Sequence, residues 1–131
     1  MAVGDPDDWL QHARSDLRAA QLVRGDAEVL PSAAAFHAQQ AAEKGLKAVL
    51  VHAAQSFPRT HDLKEILLRI DRAGIPVPVE VEAVRELTLF AVESRYPGDA
   101  ESITWQDADE AIELARRAVE WASRQISRQT Q

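Results

Sequence analysis

Apolar positions in this chain recur by three and four in five separate runs, a pattern that predicts five helices and no strands. The first run is Leu10, Ala13, Leu17 and Ala20, with Arg18 and Arg24 outside the stripe. Asp5 is placed as N-cap and Pro6 at the first helical position, where a missing N–H costs nothing; Gly25-Asp26 ends the helix. The second helix is expected from Pro31-Ser32 to about Ala54, with Phe57-Pro58 as its stop. Ala38, Ala42, Leu46, Val49 and Ala53 mark one face, and alanines around the rest of it indicate burial on more than one side. Leu63, Ile66, Leu67 and Ile70 define a third helix that starts near Thr60 to Asp62 and closes at Gly74 and Pro76. A fourth follows Pro78, with Val81, Val84, Thr88 and Ala91 on one face and Leu87 and Phe90 beside it; Pro97 ends it at or before Tyr96. The fifth opens on Thr104 with Asp107 three residues later, a capping-box spacing. Trp105, Ala108, Ile112, Ala115, Val119, Ala122 and Ile126 then form a heptad seam, as near-antiparallel packing requires. The whole reads as an all-α, up-and-down five-helix bundle forming one domain over residues 1–131. A second stripe on the last helix, Ala111, Leu114, Ala118 and Trp121, exceeds what one small bundle hides and predicts a homodimer.

Composition narrows the functional classes. A net charge of −6 disfavours a protein that coats nucleic acid, because polyanions bind through basic surfaces. Cysteine is absent, so neither disulfides nor thiolate chemistry operate. Residues Met1 to Leu10 lack the basic and apolar regions of a signal peptide, and no apolar run approaches the roughly 20 residues needed to span a bilayer. A cytoplasmic protein with no membrane partner is the expectation.

Three segments carry chemistry. His37, Gln40, Lys44 and Lys47 lie at i, i+3, i+7 and i+10 and share a strip of the second helix. The strip reads either as a cleft wall that holds an anion or as a solvated edge of a buried helix. Glu43 and Lys47 stand four apart in the order that favours an ion pair. At Thr60-His61-Asp62, His61 and Asp62 read as a base with its orienter, or Thr60 and Asp62 as caps of the following helix. In Arg95-Tyr96-Pro97-Gly98, a rigid turn follows an arginine suited to bidentate grip on phosphate or carboxylate; a buried pair with Glu43 accounts for it equally well. His37, His52 and His61 lack close metal-ligand spacing, so no metal and no cofactor is expected. The late arginines Arg116, Arg117, Arg124 and Arg128 read as the basic end of a solvated helix rather than as an RNA surface.

Phe36-His37-Ala38-Gln39-Gln40-Ala41-Ala42-Glu43-Lys44, Thr60-His61-Asp62-Leu63 and Arg95-Tyr96-Pro97, in this order and spacing, resemble the HEPN family. Trp9, Asp16-Leu17 and the closing amphipathic helix extend the resemblance over nearly the whole chain. It implies a helical bundle that usually dimerises and is often encoded beside a minimal nucleotidyltransferase as a toxin–antitoxin pair. It also implies a nucleotide or RNA ligand; together with the occurrence of polar residues on otherwise buried segments, this gives Arg95, Tyr96, His37, Gln40, Lys44, Lys47 and His61 as the ligand-binding set, with Arg95, Tyr96, His37, Lys44 and His61 expected to line one cleft. Catalytic members of the family cleave RNA with an arginine and a histidine that have four to six residues between them. Here Arg95 is followed at those distances by nothing of the kind, since Ala100, Glu101 and Ser102 stand there and no histidine follows His61. The expectation is therefore a non-catalytic nucleotide-, anion- or partner-binding component of such a module. The alternative is a metal-independent RNase toxin with a rearranged site, for which Arg95, His37 and His61 are the catalytic candidates.

Overall fold

A computed structural model describes residues 4–90 and 103–129 of the chain. Helix α1 (Pro6–Val23) begins where the Asp5 carboxylate accepts a hydrogen bond from the Asp7 N–H at 2.8 Å. Helix α2 (Pro31–His52) follows, then α3 (Leu63–Arg72), a single turn α4 (Val79–Glu82) that runs into a 3₁₀ helix (Ala83–Phe90), and α5 (Trp105–Gln129). No strand occurs among the described residues. The expected caps are present. Asp62 accepts from the Lys64 N–H at 3.1 Å. Thr104 and Asp107 exchange bonds, the Thr104 hydroxyl accepting from the Asp107 N–H at 3.1 Å and the Asp107 carboxylate from the Thr104 N–H at 2.9 Å. Gly74 takes the left-handed conformation, φ 85°, that closes α3.

Helix α2 is the axis of the bundle. From Ala41 to Val51 every residue except Lys44 is buried. Its alanines leave little volume at the contacts, so α1 and α5 pack directly against its backbone. At Gly45 the approach is close enough that an added methyl would sit 3.6 Å from the Val119 Cα, in ordinary van der Waals contact. Leu46, Leu50, Leu63, Ile66, Ile70 and Val84 are all at 0% exposure and join α2, α3 and the 3₁₀ helix in one core.

Two expectations change. Helix α2 ends at His52, within two residues of the expected Ala54, but Phe57-Pro58 is not what stops it. There the Ala54 N–H donates to the Val51 carbonyl at 3.0 Å and the Gln55 N–H to the Leu50 carbonyl at 2.9 Å. That is a Schellman closure, with Ala54 in the left-handed region at φ 58°. The fourth helix is α-helical for one turn only. Its buried residues Val81, Val84 and Leu87, and half-buried Phe90, follow a strict period of three. Three residues per turn stacks such positions in one row, whereas an α-helix would rotate them apart. The Thr88 hydroxyl accepts from the Leu63 N–H at 3.0 Å and caps α3; Ala91, expected on the same face, lies outside the described residues.

The surplus apolar surface expected on α5 is also absent. Ala108, Ala111, Ala115, Ala118, Val119, Trp121, Ala122 and Ile126 are all buried within the single chain, because α1, α2, α4 and the 3₁₀ helix cover both stripes. Trp105, Ile112 and Leu114 remain half-buried.

An L-residue in the left-handed region costs about 1–2 kcal/mol, of which glycine's extra unfolded-state freedom takes back part. Ala54→Gly is therefore expected to stabilise the fold by about 0.5–1 kcal/mol and raise the melting midpoint by a few degrees. A lowered midpoint in thermal denaturation would show that another contact holds Ala54.

Candidate functional site

The polar residues of α2 sort into two clusters, each built on one carboxylate. The inner cluster centres on Glu43, which is 3% exposed. Its Oε2 accepts from Lys47 Nζ at 2.8 Å. Its Oε1 accepts from Gln39 Nε2 at 3.0 Å and contacts His61 Nδ1 at 2.8 Å. Gln39, at 0% exposure, is turned by its neighbour, since Gln40 Nε2 donates to Gln39 Oε1 at 2.7 Å. Gln39 Nε2 also lies 3.5 Å from the His61 carbonyl. Lys47 is buried under two aromatic faces, 5.8 Å from the Trp9 ring centroid and 5.6 Å from that of Phe57. Those rings meet edge to face, with centroids 5.9 Å apart.

Burial alone would push the Glu43 carboxyl up; hydrogen bonds from Lys47, Gln39 and His61, and the Lys47 charge, outweigh it and hold the group below the ordinary glutamate value. The carboxylate is thus ionised at neutral pH although it is out of water. The cation it needs comes from its own helix, four residues on.

The outer cluster centres on Asp16 of α1. Lys44 Nζ donates to Asp16 Oδ2 at 2.6 Å, and His37 Nδ1 lies 3.1 Å from Asp16 Oδ1. The four-residue strip expected along α2 is therefore divided. His37 and Lys44, seven apart, nearly eclipse and meet one acid of α1; Lys47, ten from His37, is rotated by roughly 80° and turns inward to Glu43. Gln40 bridges toward the inner cluster. Trp9, Lys44 and His12 also line an open cleft of about 390 Å³ together with Gly4, Asp5 and Asp8.

At the start of α3 the roles separate cleanly. Thr60 and Asp62 are caps, the Thr60 hydroxyl accepting from the Asp62 N–H at 3.0 Å. His61 between them is not oriented by Asp62. Its partner is Glu43, and its ring remains 60% exposed. Sequence reasoning paired Glu43 with Lys47, as observed, but counted neither Glu43 nor Gln39 among the ligand-binding residues. The available signal was the pair Gln39 and Glu43, two polar residues four apart on a helix otherwise rich in alanine. Arg95 and Tyr96 lie outside the described residues. So do Ala100, Glu101 and Ser102. All the bonds described for Glu43 come from Lys47, Gln39 and His61.

Two of the late arginines pair with acids of their own helix, and the Arg128 side chain lies outside the described residues. Arg116 pairs with Glu113 at 2.6 Å and with Glu120, and Arg117 pairs with Glu113 at 3.0 Å. The hydrogen bonds from Arg116, then those from Arg117, hold the Glu113 carboxyl down at about 2. Arg124 is exposed. Among the described residues no three His, Cys, Asp or Glu side chains gather as a metal site. No described helix is long and apolar enough to cross a membrane.

The HEPN domain model matches residues 6–126, nearly the full length. The chain belongs to the HEPN family. Two solved structures share the HEPN fold of this domain. TT1696 from Thermus thermophilus is 28% identical, with a TM-score of 0.79 over 92% of this chain and 97% of that one. ST0689, an archaeal HEPN homologue, is 26% identical, with a TM-score of 0.76 over 95% of this chain and 99% of that one. No protein among those of curated function matches.

The lowered Glu43 carboxyl gives the HEPN domain an acid-sensitive tie. A group whose folded value is depressed contributes stability that is complete above its unfolded value, here the ordinary 4.5, and is lost as pH falls through the folded value. Glu43→Gln is expected to be less stable than the wild type at pH 7 by roughly 3 kcal/mol, because it leaves Lys47 buried without its counter-charge. Urea denaturation should show that gap narrowing as pH drops below 4.5. A gap independent of pH would mean that the loss is one of packing and not of charge.

Proposed function

We propose that this HEPN domain is a non-catalytic binding component of a two-protein, nucleotidyltransferase-associated module of toxin–antitoxin type. It works as a cytoplasmic homodimer and presents a nucleotide- or anion-binding face. Arg95 and Tyr96, with His37, Gln40, Lys44 and His61, are its ligand set; Lys47, buried against Trp9 and Phe57 and paired with Glu43, drops out of the set expected from the sequence. The observation that carries the reading is the internal pairing of the basic side chains of α2 and of the loop before α3. Lys44 and His37 are held by Asp16, and Lys47 and His61 by Glu43. Phosphodiester cleavage through a 2′-hydroxyl needs a proton acceptor, a proton donor and a cation free to meet the charge that develops. The strip's cations are already committed to carboxylates of the same chain. Arg95 is the phosphate-gripping group of this reading, and a guanidinium stays protonated and transfers no proton. Such an arrangement suits holding a ligand better than turning it over.

The second reading, a metal-independent RNase with a rearranged Arg and His site, is favoured by one feature. His61 is a solvent-accessible imidazole backed by a buried carboxylate, the arrangement of an oriented general base.

The two separate in one assay. Purified protein in excess chelator is expected to leave unstructured RNA and tRNA intact, while calorimetry shows nucleotide binding that Arg95→Ala weakens by about tenfold or more, the usual worth of a charge-assisted hydrogen bond. Robust turnover that disappears in Arg95→Ala and in His61→Ala or His37→Ala would establish the RNase instead. Light scattering is expected to give twice the 14.5 kDa monomer mass at micromolar concentration. A monomer mass would remove the dimer from the proposal.

A further inference from the structure

The open cleft of about 390 Å³ is lined by Gly4, Asp5, Asp8, Trp9 and His12 around α1 and by Lys44 of α2. Its size falls in the range of small-ligand sites, roughly 300–1,000 Å³. Trp9 gives it an aromatic wall, and that ring is held on several sides. Lys47 Nζ lies 5.8 Å from its centroid, and the Phe57 ring meets it edge to face. The Gly4 backbone comes so near that an added methyl would stand 3.0 Å from the indole Nε1, and its φ of 91° is itself one that suits glycine. A ring fixed in this way is an ordered platform, so a flat ligand stacks on it with little further loss of entropy. The charged groups of the cleft are spaced along α1. Asp8, His12 and Asp16 follow at i, i+4 and i+8, which puts roughly 12 Å of helix rise between the two acids. Lys44 Nζ is anchored at the Asp16 end by its 2.6 Å bond and keeps two ammonium hydrogens beyond that one. At the other end Asp8 is exposed, and among the described residues no group bonds its side chain.

We propose that this cleft is a guanine-binding site, with Trp9 as the stacking surface, Asp8 as the acceptor and Lys44 as the donor. This names the base for the nucleotide reading above, on which it rests. Guanine presents two adjacent N–H donors, at N1 and N2, that match the two oxygens of a carboxylate. On its opposite edge it presents two adjacent acceptors, O6 and N7, that match an ammonium. The long axis of a purine with a hydrogen bond at each end suits the separation between Asp8 and the anchored Lys44 tip. Adenine inverts the pattern. Its N1 is an acceptor where guanine donates, which sets a lone pair against the Asp8 carboxylate, and its amino group stands where guanine has O6. The cleft thus recognises a base by a donor edge and an acceptor edge on either side of one stacked ring.

The test is NMR on the ¹⁵N-labelled protein, whose three tryptophans give three indole signals that sequential assignment tells apart. GMP is expected to move the Trp9 indole signal saturably and to leave that of the buried Trp121 in place. IMP, which lacks only the 2-amino group, should bind several-fold more weakly, and AMP about tenfold more weakly or less well still. Asp8→Asn, a substitution at an exposed position, should keep the helical circular dichroism, weaken GMP about tenfold and remove its preference over IMP. Equal affinities of the wild type for GMP, IMP and AMP overturn the guanine assignment whether or not Asp8→Asn folds. A GMP affinity that Asp8→Asn leaves unchanged overturns it too. If calorimetry shows nucleotide binding while the Trp9 signal stays in place, the nucleotide reading stands and this inference falls. If no nucleotide binds, both fall.

Discussion

A carboxylate out of water is costly unless something answers it, and the HEPN domain is organised around one such group. Glu43 sits on the most buried helix of the bundle, where an unpaired charge would cost several kcal/mol. Three donors answer it from three directions along the chain. Lys47 comes from one turn later, Gln39 from one turn earlier, and His61 from the far side of the loop that joins α2 to α3. The last of these has the structural consequence. The loop after the Schellman closure at Ala54 is tied back onto α2 through His61, which sets where α3 begins. Leu63, two residues on, then enters the core at 0% exposure. Lys47 extends the network outward, since its ammonium is roofed by Trp9 of α1 and Phe57 of the same loop. One charge thus couples α1, α2, the connecting loop and α3.

Asp16 repeats the design at lower stakes. It too takes one lysine and one histidine from α2, but it is 17% exposed and lies at the seam of α1 and α2. Water shares in its solvation, so breaking its pairs costs less than breaking those of Glu43. The two clusters together make α2 nearly charge-balanced although it carries several ionisable side chains. That balance reconciles a helix buried on most sides with a polar face.

Much of the fold was legible in the chain because local signals and packing agree. Asp5-Pro6, Asp62, Gly74 and the Thr104 and Asp107 pair each cap a helix through bonds that neighbouring residues complete by themselves. The misplaced features depended on partners distant in sequence or on small differences in period. Ala54 adopts a conformation that its own side chain disfavours, so nothing in its identity announces the end of α2. Val81, Val84, Leu87 and Phe90 suit a three-residue turn, but over so short a run that period hardly differs from 3.6. The polar site was half legible. A helical wheel groups His37 with Lys44, while the inward turn of Lys47 depends on Glu43 being buried, which no local pattern shows. The link from Glu43 to His61 spans eighteen residues and exists only once α3 has folded back.

This bears on what the family resemblance means. The segments that carry it are the ones engaged in folding. Gln39, Glu43 and Lys47 make the buried network; Thr60 and Asp62 cap α3; Leu63 is core; His37 and Lys44 fasten α2 to α1. A second chain that meets the same requirements arrives at the same residues whether or not it shares an activity. These motifs therefore specify the HEPN architecture directly and the chemistry only through what the network leaves accessible. Among the described members of the motif, His61 is the one in which a side chain fixed from the interior keeps most of its ring in solvent. Chemical individuality within this fold is most readily sought at that ring. The network behind it holds the ring in place, and most of the ring faces solvent.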